Sequence, residues 1–306
     1  MTAVTLPAGV SVLERGWLSS NNILVQGARS TALIDSGYCT HAEQTLALLD
    51  SSLQGQPLDV LINTHLHSDH CGGNAALQAR YPALQTHIPP GQAEHVRVWD
   101  AYALSYTPTG QSCPRFGFDA VLQPGRDVCL GDLVWQVHAA PGHDPHSVIL
   151  FEPQSKTLVS ADALWAQGFG VVFPELDGQN AFAEVGQTLD LIERLQPALV
   201  IPGHGAPFTD VAQALVVARR RLDGFVSHPA KHRHYAAKVL LKFKLLEAQA
   251  MERQALQDWA LGTSYFASLL PSSGDVLLGP QAVDGLIQDL VRSGAAVVHG
   301  TRILNA

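Results

Sequence analysis

The densest chemistry-bearing stretch of this 306-residue chain is THLHSDHCGG at positions 64–73, which sets His65, His67, Asp69 and His70 within six positions. Imidazole nitrogens and carboxylate oxygens suit a metal ion such as Zn²⁺, which takes both at about 2.0–2.2 Å. One short loop can present such donors to two neighbouring ions from its two sides. A polar loop whose histidines only make hydrogen bonds is the plain alternative, but so dense a cluster has no packing use. Positioning falls to the flanks. The apolar run Val60-Leu61-Ile62 leads in and reads as a buried strand, while Gly72 and Gly73 lead out into a helix-like segment.

The stretch resembles the HxHxDH signature of the metallo-β-lactamase superfamily, in particular its glyoxalase II-like branch. Further matches follow in order: His143 in Pro141-Gly142-His143, Asp162 in Ser160-Ala161-Asp162-Ala163, and His204 in Pro202-Gly203-His204-Gly205. The resemblance covers most of residues 1–210. It implies an α/β fold, a four-layer αββα sandwich with a two-metal site at one edge of the paired sheets. It implies His65, His67 and His143 as ligands of one ion, Asp69, His70 and His204 as ligands of the other, and Asp162 as the bridge. The expected cofactors are two divalent ions, Zn²⁺ first, with Fe and Mn as alternatives. The reaction it implies is attack by a metal-bridging hydroxide on an ester, thioester or lactone of a small-molecule substrate. Asp69 would also orient that nucleophile, which makes it the expected catalytic residue. An acidic residue at 162 departs from β-lactamases proper, which typically lack one there, so antibiotic hydrolysis is not expected. The tail shows no clear basic glutathione-binding pattern, so the thioester is not singled out.

With 46% hydrophobic residues the chain can bury a large core. No apolar run approaches the roughly 20 residues of a membrane span, and the first seven residues lack a basic segment followed by an apolar one. The expectation is a cytoplasmic protein without a secretory signal. Cys39, Cys71, Cys113 and Cys129 follow no CxxC spacing and read as free thiols. Cys71 follows His70 directly, so it lies near the metals or is a small buried hydrophobe. Net charge is −8, but residues 1–210 hold 8 basic and 20 acidic side chains while 211–306 hold 11 and 7. That asymmetry places a boundary after residue 210, with a catalytic domain before it and a helical domain after it.

Strands are expected at 10–14, 22–26, 32–35, 60–63, 84–88, 130–139, 147–151, 157–160 and 199–201. Helices are expected at 41–52, 91–100 and 182–195. Asp35, in an IDSG turn, either supports the metal loop from behind or is a plain turn residue. Residues 101–118 have no clear period and read as a surface loop, with Tyr102, Tyr106, Arg115 and Phe116 as candidates for a pocket wall. Trp165, Phe169 and Phe173, just past Asp162, are either core or an apolar pocket. His146 reads as a loop histidine. In the tail, helices at 210–225, 231–248, 251–261 and 281–292 precede a hairpin turning at His299-Gly300, a pattern resembling the winged-helix tail of some superfamily members. Arg219, Arg220, Arg221, Lys231, Arg233, Lys238, Lys242 and Lys244 raise a second reading, an endoribonuclease or phosphodiesterase that binds RNA through these helices. A solvated helical face is the simpler account, because stacking aromatics are sparse nearby. Iron-dependent redox chemistry and a pure binding module are minor readings. Small-molecule substrate, no membrane, nucleic acid as the secondary partner and a homodimer through the apolar tail helices complete the expectations.

Overall fold

In the computed structural model, which describes residues 4–269 and 279–306, short apolar runs build two sheets around one core. Met1, Thr2 and Ala3, the start of the segment read for a secretory signal, lie outside the described residues. The first sheet runs β1 (Val10–Leu13), β2 (Asn22–Gln26), β3 (Thr31–Ile34), β4 (Val60–Ile62), β5 (Gln85–Ile88), β6 (Ala120–Val121) in that spatial order. Its first three strands are antiparallel and β3 to β6 are parallel. The second sheet contains β7 (Asp127–Leu130), β8 (Leu133–Ala139), β9 (Val148–Glu152), β10 (Thr157–Ala161) and β11 (Leu199–Pro202), ordered β11-β10-β9-β8-β7. Only β10 and β11 are parallel there.

Because successive strand residues point to opposite faces, each strand serves two layers. Ile23, Val25, Ala32, Ile34 and Ile62 of the first sheet meet Trp135, Val137, Val148, Leu150, Val159 and Ile201 of the second in one buried cluster. The alternate residues Leu24, Leu33 and Leu61 pack outward on Leu49, Leu53 and Leu77 of the helices Ala42–Leu53 and Asn74–Arg80. Beside the second sheet lies the helix Phe182–Leu195, with Val185, Leu189 and Ile192 buried and Thr188 Oγ1 donating to the Pro141 carbonyl at 2.8 Å. This is the αββα arrangement.

Three expected elements differ. The single strand at 130–139 is a hairpin, β7 and β8, turning at Gly131-Asp132, where Gly131 has φ +57° and the Asp132 carboxylate accepts from the Ala28 amide at 2.8 Å. A two-residue Gly-Asp connection is a hairpin signal, outweighed in the sequence by the apolar run around it. The helix expected from 251 begins at Arg253, because Ala250–Glu252 pairs as a strand, β12. The terminal hairpin, β13 (Ala296–His299) and β14 (Arg302–Asn305), turns at Gly300-Thr301, with His299 paired to Arg302.

The chain divides into two units, Met1–Leu104 with Ser112–Asp223, and Ser105–Gln111 with Gly224–Ala306. The division falls inside the helix Val211–Ser227 rather than before it. Within the first unit, Ala214, Leu215 and Ala218 of that helix are buried and Arg219 pairs with Asp190 and Glu193, both at 2.7 Å. The second unit combines the helices Pro229–Ala248, Arg253–Gly262, Ser264–Leu269 and Pro280–Arg292 with the three-stranded sheet β12-β14-β13. No helix among the described residues is long and apolar enough to cross a membrane.

His232 should give the second unit a pH dependence. It is 1% exposed and its ring lies 4.8 Å from that of Phe225; burial, and then the charge of Arg233, push its pKa down to about 4. An unfolded chain takes up a proton near the ordinary imidazole value of about 6.5, so between these values the unfolded state binds more protons. Stability from this group is complete above about 6.5 and is lost as pH falls toward 4. Urea denaturation should show a lower midpoint at pH 5 than at pH 7, and His232→Leu should narrow that difference; an unchanged difference would show that His232 is not its source.

Candidate metal centre

Each candidate donor sits where a strand stops. β4 ends at Ile62, and the chain continues through Asn63 and Thr64 to His65, His67 and the one-turn helix Ser68–Cys71, which carries Asp69 and His70. β8 ends at Ala139 before His143, β10 at Ala161 before Asp162, and β11 at Pro202 before His204. Such abrupt turns require unusual backbone. Gly142 has φ +135°, and two residues with side chains, Asp35 at +60° and Ala161 at +46°, occupy the left-handed region, at a cost of order 1–3 kcal/mol each. Two glycines are required by close approach. A Cβ on Gly203 would stand 2.3 Å from Asp162 Oδ1, and one on Gly170 2.5 Å from His143 Nδ1.

The seven side chains form two groups, His65-His67-His143 and Asp69-His70-Asp162-His204, with the donor atoms of each within 4.8 Å of one another. His143 Nε2 lies 3.3 Å from His65 Nε2 and 2.9 Å from His67 Nδ1. His143 Nδ1 donates away from them to the Val171 carbonyl. Three inward-facing imidazole nitrogens disfavour one another unless a cation lies among them, and donors on a tetrahedral ion with bonds of about 2.0–2.1 Å stand about 3.3 Å apart. In the second group His204 Nε2 is 3.2 Å from Asp69 Oδ2, and His70 Nε2 is 3.5 Å from Asp162 Oδ1. His70 Nε2 is buried and has no hydrogen-bond partner among the described residues. Asp162 lies between the groups, with Oδ2 3.4 Å from His143 Nε2 and 3.8 Å from His204 Nε2. The donor set fits divalent cations.

Burial, then the neighbouring His70, His67 and His143, hold His65 well below the usual imidazole range. Burial and His143 push His67 down to about 4. Both therefore present neutral rings. Burial alone would lower His70 too, but Asp35, Asp162 and Asp69 outweigh it and raise its pKa. Burial opposes ionisation of both carboxylates. Even so, His70 and His204 hold Asp69 below its usual range, and His204 and His70 hold Asp162 well below.

Behind the loop, Asp35 Oδ1 accepts from the Thr64 amide at 2.8 Å, and Oδ2 accepts from Thr64 Oγ1 at 2.8 Å and His70 Nδ1 at 2.7 Å. Of its two readings, support from behind is the one found. Donation from Nδ1 aims His70 Nε2 at Asp69 and Asp162. The loop before β2 adds further ties: the Ser20 amide donates to the Asp69 carbonyl at 2.9 Å, and Asn21 Nδ2 to the carbonyls of Pro202 and Gly205 at 3.0 and 2.7 Å.

Aromatic rings flank both groups. Trp17, 55% exposed, stacks on His204 with centroids 5.3 Å apart and planes 13° apart, and meets Trp165 edge-on at 5.3 Å. Trp165 Nε1 donates to Asp162 Oδ1 at 3.2 Å. Phe173 meets His67 edge-on at 4.9 Å, whereas Phe169 is buried. Trp165 and Phe173 are thus site walls and Phe169 is core. The pocket-wall candidates from 101–118 differ in their surroundings. Tyr102 is 67% exposed, Tyr106 is buried in a short helix of the second unit, and Arg115 and Phe116 line a surface cavity with Arg97 and Phe118 that includes none of the seven donors. His146 belongs to neither group. Two contributors went unread in the sequence. Asp144 Oδ2 lies 3.7 Å from His67 Nε2, and its place directly after His143 was a usable signal. Trp17 carried no signal, since only the tertiary fold brings it to His204.

The metallo-beta-lactamase superfamily model matches residues 15–204. The hydroxyacylglutathione hydrolase of Brucella anthropi is 28% identical over 164 residues, 53% of this chain and 51% of that protein, so the chain spans about half the length of that relative. A beta-lactamase domain protein from Burkholderia ambifaria shares the fold over 99% of this chain and 97% of its own, with a TM-score of 0.59 and 22% identity. The protein TTHA1623, solved in a di-iron-bound form, is 26% identical with a TM-score of 0.52, over 68% of this chain and 98% of its own. The ordered donors at the strand ends and the match across most of the first unit lead to one assignment: the chain belongs to the metallo-β-lactamase superfamily.

Proposed function

We propose that the chain is a two-metal hydrolase of a small-molecule ester, thioester or lactone. The observation that carries this reading is the single buried carboxylate of Asp162, within 4 Å of donors in both groups (3.4 Å from His143 and 3.8 Å from His204). His65, His67 and His143 would hold one ion, Asp69, His70 and His204 the other, and Asp162 both. Bound ions of this kind lower the pKa of water to about 7 and polarise a carbonyl oxygen. Zinc suits the donors, and the di-iron form of TTHA1623 makes iron the next choice.

The protein's own groups do the rest. Asp69, whose side chain is 16% exposed, faces the site and accepts a hydrogen bond from the attacking water, orienting it. Asp35 keeps His70 in one orientation, and Asp144 lies behind His67. Trp17, Trp165 and Phe173 offer apolar faces to an acyl or leaving group. The hydroxyacylglutathione hydrolase relative supports a thioester among the candidates.

Nucleic-acid binding has less support. Several of the basic side chains that suggested it are engaged within the chain. Arg219 is held by Asp190 and Glu193, Arg221 by the carbonyls of Gln167 and Phe169, and Lys244 by Glu247. His234 bonds Asp289 on the helix Pro280–Arg292, and Lys242 the Ala295 carbonyl.

The decisive assay sets metal-loaded parent and Asp162→Ala, prepared identically, against an acyl thioester, an aryl ester, a lactone and a short single-stranded RNA. The parent should hydrolyse at least one of the first three, and Asp162→Ala should lose bound metal and at least about 10²-fold in turnover. Parental rates in Asp162→Ala would sink the reading, and cleavage of RNA alone would replace it with a nuclease. Asp35→Asn should cost about 10–100-fold in metal affinity or activity while the circular dichroism spectrum is kept; unaltered metal affinity and turnover would remove Asp35 from the site. For Trp17→Ala, a rise in KM of about 10-fold with kcat kept is expected, as for loss of a stacked aromatic contact. An unchanged KM would show that the substrate does not touch the Trp17 ring.

A further inference from the structure

We propose that Cys113 and Cys71 form a peroxide-reactive thiol pair, a modification site behind the metal loop. Their sulfurs lie 3.9 Å apart, and neither is in a disulfide. Cys113 is partly exposed on the irregular segment before β6, whereas Cys71 is fully buried. Cys71 ends the one-turn helix that carries Asp69 and His70, and its thiol donates weakly to the carbonyls of Leu66 at 3.5 Å and His67 at 3.3 Å. The segment bearing Cys113 is held in place beside it: the Ser112 amide donates to Tyr38 Oη at 3.1 Å, and Cys39 Sγ donates to the Ser112 carbonyl at 3.3 Å. One accessible thiol backed by one buried thiol is the arrangement of a reacting and a resolving cysteine.

The chemistry balances with a hydroperoxide as oxidant. The Cys113 sulfur attacks the peroxide O–O bond, taking one oxygen as a sulfenic acid and releasing the other as an alcohol, or as water from hydrogen peroxide. The Cys71 sulfur then attacks the sulfenic sulfur. An S–S bond forms, the S–O bond breaks, and hydroxide leaves as water with the Cys71 proton. Two thiols are oxidised and one peroxide is reduced. Bond formation requires the two sulfurs to close from 3.9 Å to about 2 Å. Oxidised Cys71 can no longer donate to the Leu66 and His67 carbonyls, and its sulfur is drawn toward Cys113, so the loop carrying His65 and His67 loses a fastening. Any effect on turnover rests on the hydrolase reading above. The bond itself does not.

The test treats the metal-loaded full chain with hydrogen peroxide, alkylates it under denaturing conditions and digests it without reductant. The expected result is a peptide joining Cys71 to Cys113, the loss of two alkylatable thiols, and a fall in turnover of about 10-fold that dithiothreitol reverses. Cys113→Ser should begin at parental turnover, keep Cys71 alkylatable and stay active after peroxide. Absence of the linked peptide, a linkage through Cys39 instead, or loss of activity in Cys113→Ser at the parental rate overturns the proposal. If no substrate is turned over, the linked peptide still decides it.

Discussion

A carboxylate taken out of water is costly unless its charge is met by hydrogen bonds, and Asp35, 2% exposed, meets that condition through Thr64 and His70. This one constraint organises much of the first unit. The carboxylate pins the chain just beyond β4 to the chain just beyond β3, two parallel neighbours, and it sets the ring of His70. The left-handed backbone at Asp35 is tolerated because three hydrogen bonds on the side chain outweigh the strain. A second buried layer, where Asn63 and Asn74 exchange side-chain bonds and Ser36 donates to Asn74 at 2.7 Å, braces the other side of the loop.

The sandwich supplies what the loops alone lack. Facing sheets keep β4, β8, β10 and β11 in fixed relation through the core around Trp135 and Leu150, so that loops leaving those strands converge. Close packing in such an interior transmits small displacements. Gly203 and Gly170 show the tolerance: each passes so near a donor side chain that a single methyl group has no room. The site is therefore set by backbone proximity as much as by the donors themselves.

Much of this was legible in the sequence, for identifiable reasons. The candidate donors stand out because imidazole and carboxylate cluster at short spacing and then recur in a fixed order at strand ends. Strands such as β2 and β3 could be read from short apolar runs between turn residues. What could not be read depended on tertiary context. Tyr106 sits in a segment without period, and its place follows from the short helix Tyr106–Thr109 packing on Ser264–Leu269 far along the chain. Trp17 reaches His204 only once β2 and β11 are in place. The β7–β8 turn was present as Gly131-Asp132 but masked by apolar neighbours on both sides. Several tail cations, which in sequence raised phosphate binding as a second reading beside a solvated helical face, make contacts with carboxylates and carbonyls in the fold.

The donors are drawn from four separated strand ends, and none of the two groups is local to one segment: His143 completes the first and His204 the second. An unfolded chain keeps only the short HxHxDH piece, so on the proposed reading affinity for an ion at either group would be a property of the native state. By mass action, an ion that binds the native chain alone deepens the native basin by an amount that grows with its concentration. The availability of metal would then govern how long the chain survives as well as what it can do, and a metal-starved population would be the one exposed to unfolding and proteolysis.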